Sequence, residues 1–451
     1  MAIISQLIFA LCLGVAFYFF AKNIKRIRRN ISLGKDIDRS DRPKDRWKTM
    51  ARVALGQSKM TKRPVAGFLH ILVYVGFVLI NIEVLEICLD GLFGTHRLFH
   101  ALGGLYEVLI GAFEILAFLV LVACVLFFIR RNILKVKRLN MKEMEGWPKN
   151  DANLILIMEI VLMSALLIMN ASDQLLASRG IEPYLSLNGL PISDVLAGML
   201  DGFSNNSLMI IERTTWWIHI LGILFFLNYI IYSKHLHIAF AFPNTYYSKL
   251  EPKGELDNLE AVTNEVKMMM DPDADPFAAP DESATEETPG VFGAKDATDL
   301  NWVQLMNAYT CTECGRCTSE CPANQTGKLL SPRKIMMDTR DRIEEIGANI
   351  DKHGADHQDN KSLLDDYISR EELWACTSCN ACTEACPVNI DPLSIIVDLR
   401  RYLVMEESAA PTELNLMFNN IENNGAPWQM PASDRLNWAD ELQSEQNTEE
   451  S

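Results

Sequence analysis

Cysteine is nearly absent outside two short stretches. Eight of the 11 cysteines fall between 311 and 386, and Cys12, Cys88 and Cys124 stand singly in apolar runs. Lone apolar cysteines behave as inert small hydrophobes, whereas clustered ones in a cytosolic segment bind metal. There is no phosphate-binding Gly loop, no nucleophile elbow and no dinucleotide fingerprint, so the activities those motifs carry have no residues to rest on. Positive charge is scarce in the polar half. Residues 250–451 carry 15 Lys and Arg against 40 Asp and Glu, a balance of −25. A nucleic-acid binder needs its positive excess there. Residues 1–249 carry 27 against 18, a balance of +9, which gives −16 for the 451 residues together. A basic apolar half joined to an acidic polar half excludes a single soluble globule.

What the first half has is length in its apolar runs. A membrane span needs about 20 mostly apolar residues, and five stretches qualify, at about 3–21, 65–89, 102–129, 152–172 and 214–233. The first could be read as a signal peptide, but no positive charge precedes it, no small-residue cleavage site follows, and Lys22 to Arg29 reads as a stop-transfer flank, so a membrane span is the expectation. The 22–63 loop holds 15 Lys and Arg and the 130–150 loop holds 7, while 90–101 has only Arg97 and 173–213 only Arg179 and Arg213. The positive-inside rule then predicts the amino terminus outside, both basic loops in the cytoplasm, and everything after 234 in the cytoplasm of a multi-pass protein of the cell inner (cytoplasmic) membrane. Cysteines in that reducing compartment do not form disulfides.

Six of the eight histidines lie in this half: His70, His96, His100, His219, His235 and His237. Histidine is costly in lipid. On one continuous helix His219 and His237 share a face about 27 Å apart, with His235 on the opposite face. Two such histidines suit axial ligation of two stacked b-type haems. His70, near the cytoplasmic end of the second span, is level with His237 and pairs with it on an inner haem. His219 needs an outer partner, and His100 is the first candidate, His96 the second. The alternative is a set of interfacial histidines bonded to headgroups or water. Glu83, Glu86, Glu107, Glu114 and Glu159 also fall within spans. His100, Glu107 and Glu114 follow at seven-residue steps on nearly one face, which reads either as a proton route for quinone chemistry or as acids buried in bundle contacts.

Residues 251–298 are acidic, rich in Ala and Pro and poor in large apolar side chains. They read as a flexible tether, or alternatively as an acidic docking arm. Beyond them Cys311-x2-Cys314-x2-Cys317-x3-Cys321-Pro322 repeats 65 residues later as Cys376-x2-Cys379-x2-Cys382-x3-Cys386-Pro387. A [4Fe–4S] cube takes four thiolates, and in two-cluster ferredoxins the fourth cysteine of each run ligates the other cluster. That predicts Cys311, Cys314, Cys317 and Cys386 on one cluster, and Cys376, Cys379, Cys382 and Cys321 on the second. Zinc does not want this trio-plus-one repeat. Ser331-Pro332 and Asp391-Pro392 place a cap before Pro at the first helical position, ahead of helical runs at Arg333–Ile343 and Leu393–Val404. Ser369 to Glu372 forms a capping box. The expected fold class is all-α: a five-helix transmembrane bundle, an acidic linker and an α-helical two-cluster ferredoxin domain.

With those residues in place, 60–250 resembles the five-helix cytochrome b family of the respiratory nitrate reductase gamma subunit and the heterodisulfide reductase membrane subunit. The matching residues are His70, His219 and Ser233-Lys234-His235-Leu236-His237. The resemblance implies haem ligation by His70, His219 and His237. It departs at Ile80, where the family has a second histidine, so an outer haem takes another ligand such as His100 or is absent. Residues 299–405 resemble the helical ferredoxin of the heterodisulfide reductase small iron–sulfur subunit, including Pro392 to Arg401. Asn424-Gly425-Ala426-Pro427-Trp428 with Arg435 and Trp438 is similar to the segment that leads, in fused relatives, into a cysteine-rich CCG domain. It reads here as a docking tail for a separate CCG subunit, or as a helix packed on the ferredoxin.

The implied organisation is a first span and basic loop (1–64), four further spans (65–250), the acidic linker (251–298), the ferredoxin (299–405) and the tail (406–451). The implied function is the membrane subunit of a quinone-linked iron–sulfur oxidoreductase. It would carry two [4Fe–4S] clusters and one or two haem b groups, with membrane quinone as substrate and lipid around it. Its soluble partner would be an electron-transferring flavoprotein acting through a CCG subunit, or a dithiol/heterodisulfide couple. A non-catalytic electron relay and a haem-free membrane-anchored redox sensor are the other readings.

Overall fold

The computed structural model describes residues 2–271, 291–440 and 442. The 272–290 part of the acidic linker lies outside the described residues. Among them there is no strand, and five helices are long and apolar enough to cross a membrane. These are α1 (Ala2–Ile31), α2 (Pro64–Phe93), α3 (Gly104–Asn132), α4 (Trp147–Ser178) and α5 (Asn205–Tyr229). Pro64 and Pro148 sit in the first turns of α2 and α4, where a missing N–H costs nothing. Gly94, at φ 71°, stops α2. Tyr106, Ile110, Phe113, Ala117, Val120, Leu162, Leu166 and Ile220 form the bundle core. Leu7, Leu11, Val78, Ile82, Val108 and Phe225 stay exposed. In lipid that apolar surface is satisfied, and the helical backbone bonds itself.

Contacts divide the chain into two compact units. One comprises Met1–Asp257 with Lys295–Ile396, and the other Asn258–Ala294 with Val397–Ser451. In the first unit the membrane helices and the cysteine-rich segment pack together. Its further helices include α6 (His237–Tyr246), α7 (Trp302–Thr310), α8 (Arg316–Glu320), α9 (Pro332–His353) and α10 (Ala381–Ala385). Helix α11 (Pro392–Met405) runs across the division and α12 (Thr412–Asn424) belongs to the second unit. The expected caps are present. Ser331 accepts from the Lys334 N–H ahead of α9, Asp391 accepts from the Leu393 and Ser394 N–H groups at α11, and Ser369 with Glu372 forms a reciprocal capping box. Such caps are worth roughly 1 kcal/mol each. In the second unit Gly425, at φ 63°, ends α12, and Trp428 and Trp438 are exposed.

The basic loops hold the cysteine-rich segment. Arg29 bonds the Gly347 carbonyl at 2.8 Å and pairs with Asp351, and Asn30 donates to the Tyr309 hydroxyl at 3.0 Å. Lys35 and Asn301 form an isolated parallel bridge. That approach requires Gly34, where a Cβ would lie 2.7 Å from the Leu300 carbonyl oxygen. Fully buried Arg333 pairs with Glu143 of the 130–150 loop at 2.7 Å. Removing one partner of such a buried pair costs about 3–5 kcal/mol. Both basic loops and the cysteine-rich segment therefore lie at one end of the bundle.

Two expectations are corrected. The fifth span does not continue unbroken to His237. Ser233 is extended (φ −119°, ψ 154°), and short 3-10 turns at Ile230–Tyr232 and Lys234–Leu236 lead into α6, which starts at His237. Asp151 accepts from the Lys234 N–H at 3.2 Å and the Ser233 hydroxyl from the His235 N–H at 3.1 Å, so the break is capped. The shared-face argument for His219 and His237 fails with it. Nor does His100 stand on the same helix as Glu107 and Glu114. It lies in the 3-10 segment Leu98–Leu102, cut off from α3 by Gly103 at φ 62°, ψ −135°. Glu114 accepts from the Ile192 and Ser193 N–H groups at 3.1 and 3.0 Å. It thereby caps the short helix Pro191–Leu200, the work of a buried structural acid.

Candidate metal centres

The two cysteine loops have one backbone design. Glu313 (φ 53°) and Gly315 (φ 69°) in the first match Ser378 (φ 55°) and Asn380 (φ 59°) in the second. Left-handed residues at these points turn the chain and aim N–H groups inward, as anion-binding nests do. The Ser378 N–H meets Cys376 Sγ at 3.4 Å, and the Ile390 N–H meets Cys386 Sγ at 3.3 Å. Each loop then enters a one-turn helix, α8 or α10, that carries the third cysteine.

Cys311, Cys314, Cys317 and Cys386 line one cavity, together with Gly315, Met336 and Pro387. The structure thus brings the last cysteine of the second run to the first three of the first run. Cys321 and Cys382 are buried, Cys376 is half-buried and Cys379 is exposed. Burial pushes the Cys311 and Cys382 thiols up to about 12 and Cys386 to about 11. Sulfurs held there as thiolates take a metal cation as partner. Among the described residues no three His, Cys, Asp or Glu side chains converge on a single-ion position. A cube spreads its ligands, one per iron, whereas zinc gathers four around one ion. The donor set fits [4Fe–4S] clusters.

Cations surround the first cysteine set. Lys59 Nζ donates to the Cys386 carbonyl at 3.2 Å, Arg138 to the Cys314 carbonyl, and Arg316 to the Lys59 carbonyl at 3.1 Å. Arg333 donates to the Arg138 and Glu313 carbonyls at 2.5 and 3.4 Å. Burial lowers Lys59 to about 8 and Arg138 to about 10, while the Cys386 and Cys314 sulfurs favour the charged forms. Three residues of this collar, Lys59, Arg138 and the nearby Arg63, come from the loops whose charge set the predicted topology. Arg63 bonds Ser319 and Glu320 at 2.7 and 2.8 Å.

The histidines sort into two groups. The His70 and His237 ring centroids are 6.4 Å apart, at 38° between planes. With metal–nitrogen bonds of about 2 Å and about 1.2 Å from ring centre to nitrogen, two imidazoles on opposite sides of one ion stand roughly 6.4 Å apart. His237 Nδ1 donates to the Lys234 carbonyl at 3.0 Å, leaving Nε2 as the free base, the usual arrangement of a ligating histidine. Nδ1 of His70 is buried without a protein partner. These two residues fit a b-type haem. His235, which the sequence placed on the far face, is brought by the Ser233 break to 5.5 Å from the His237 ring, and its own Nδ1 is buried unpartnered.

His219 lies apart. It is 1% exposed, its Nδ1 bonds the Leu162 carbonyl at 2.9 Å, and its Nε2 has no protein partner. Among the described residues no ring contact joins it to another histidine. The ring of His100 packs on Tyr106 at 5.9 Å, and His96 bonds Asp173 at 3.1 Å and packs on Tyr184 at 5.4 Å. Asp173 also pairs with Arg97 at 2.6 Å, and Arg97 reaches Asn170 and Tyr106, so His96 belongs to a buried structural network.

Residues 310–390 match the family described as a 4Fe-4S dicluster domain. The probable iron–sulfur-binding oxidoreductase FadF of Bacillus subtilis is 30% identical over 468 residues, covering 97% of this chain and 61% of that protein. The EtfAB:quinone oxidoreductase of Syntrophomonas wolfei is 26% identical over 434 residues, covering 90% of this chain and 55% of that one. A CoB-CoM heterodisulfide reductase subunit of Methanosarcina acetivorans is 32% identical over 107 residues, 24% of this chain and 52% of that protein. The chain is similar to these iron–sulfur oxidoreductases and, over its cysteine-rich part, to a heterodisulfide reductase subunit. It spans 61% and 55% of the length of the first two relatives. No solved structure matches it. The dicluster match covers the Cys-rich loops of this iron–sulfur protein from just before Cys311 to just after Cys386.

Proposed function

We propose that the chain is the membrane electron-transfer subunit of a quinone-linked iron–sulfur oxidoreductase. When bound, two [4Fe–4S] clusters and one haem b supply one-electron chemistry, and the protein supplies ligands, spacing and insulation from water. Cys311, Cys314, Cys317 and Cys386 hold the first cluster, and Cys376, Cys379, Cys382 and Cys321 the second. His70 and His237 hold the haem. The observation that carries this reading is the 6.4 Å His70–His237 pair at the end of the bundle where the cysteine-rich segment docks. Lys59, Arg138, Arg316 and Arg333 place positive charge around the first cysteine set, which favours its reduced form. The exposed Cys379 loop is the side open to a soluble partner.

The name of the Syntrophomonas relative couples EtfAB to quinone. It supports an electron-transferring flavoprotein as the soluble partner and membrane quinone as the other substrate. The exposed Trp428 and Trp438 of the tail support docking of a separate CCG-type subunit. With its basic loops inside, the chain has its amino terminus outside and its clusters on the cytoplasmic side of the inner membrane.

Mixing the purified chain in lipid nanodiscs with a reduced quinone analogue tests the quinone link. Reduction of the b-type spectrum, abolished by a quinone-site inhibitor, is the expected result. A spectrum that responds to dithionite but not to quinol contradicts the quinone link and leaves a bare relay.

A further inference from the structure

We infer that the buried Lys234–Glu313 ion pair is a positioning latch that fixes the first cluster loop against the helix start carrying His237. The inference rests on the haem reading above. Glu313 lies between Cys311 and Cys314, and Lys234 lies three residues before His237. The two side chains are 3% and 4% exposed and pair directly. Each is tied on both sides. Glu313 takes a second bond from Arg340 at 3.0 Å, and its carbonyl takes Arg333 at 3.4 Å. Nζ of Lys234 also bonds the Pro148 carbonyl at 2.6 Å and stands 3.8 Å from Asp151, which accepts from the Lys234 N–H. Finally, the Lys234 carbonyl accepts the His237 Nδ1 proton at 3.0 Å.

The chain of contacts therefore runs from the cysteine loop, through Glu313 and Lys234, to the ring of His237. A buried ion pair adds little net stability over an apolar pair, but it specifies register. Here the register is the separation of two redox sites, one on each side of a joint between the cysteine-rich segment and the bundle. The contact that sets the His237 tautomer is made by the same residue that grips the cysteine loop. Second-sphere partners of this kind orient the ligand they bond. Lys234 and Glu313 are positioning residues, since neither touches a reacting atom.

The test uses the full chain in nanodiscs, with Lys234→Met, Lys234→Arg, Glu313→Gln and the Lys234→Met/Glu313→Gln double variant. Non-haem iron and haem are counted, the haem electron paramagnetic resonance signal is recorded, and the rate of electron transfer between clusters and haem is measured after flash reduction. Lys234→Met is expected to keep the iron, change the haem signal and slow transfer about tenfold. Lys234→Arg is expected to restore most of the rate, and the double variant to be no slower than either single one. Loss of haem from Lys234→Met with the iron retained has the same meaning. If Lys234→Met does not accumulate, Glu313→Gln carries the test, because Arg340 still holds its side chain. Full cofactor content with an unchanged haem signal and transfer rate overturns the latch. A wild-type chain with clusters and no haem overturns instead the haem reading on which it rests.

Discussion

His237→Ala and His70→Ala are each expected to abolish the b-type spectrum, cutting haem at least tenfold while non-haem iron stays constant. The two rings stand at the spacing of two ligands on one ion, so removing either leaves a single axial donor. His219→Ala is expected to keep the haem. Among the described residues its ring makes no contact with another histidine, and its Nδ1 bonds the Leu162 carbonyl. That variant loses stability instead, about 0.5–1.5 kcal/mol for the lost hydrogen bond, because the Leu162 carbonyl keeps its intrahelical donor. Difference spectra with iron determination on the three variants separate the cases. Equal haem loss in all three would place His219 in the haem site and contradict the pairing.

The cysteine variants carry the second large effect. Cys386→Ser is expected to remove the first cluster, whose other ligands lie in the other run, and to halve the iron from about eight to about four atoms. Single variants do not tell crossed from serial ligation, but pairs do. Cys311→Ser/Cys386→Ser removes one cluster if ligation is crossed and both if each run holds its own. Cys379→Ser/Cys386→Ser gives the opposite outcome. The cavity shared by Cys311, Cys314, Cys317 and Cys386 supports the crossed result. Iron counts together with the resonance signal of the surviving cluster decide it.

Much of the architecture was legible because it depends on local pattern. Five runs of apolar residues long enough to span a bilayer became five helices, and the caps at Ser331, Ser369 and Asp391 are formed by side chains two or three residues from their donors. The cysteine repeat carries its backbone with it, down to paired left-handed residues 65 positions apart. What local pattern could not show is long-range capping. The break at Ser233 depends on Asp151, which lies on α4, so continuous helical geometry misplaced His235 and joined His219 to His237 for the wrong reason. The His70–His237 pairing nevertheless rests on an observed distance. The positive charges of the two basic loops were legible only as a topology signal. In the fold Arg29, Lys59, Arg63 and Arg138 also hold the acidic cysteine-rich segment, a role set by residues 176–327 positions away and therefore invisible to any window along the chain.

The most direct measurement is haem and non-haem iron per chain on membrane-purified protein, with a reduced-minus-oxidised visible spectrum of the same sample. One b-type haem with about eight non-haem irons is the predicted result. Two haems would require a second ligand facing His219 and contradict the single pair at His70 and His237. Iron without haem would contradict the cytochrome account and leave a membrane-anchored iron–sulfur protein.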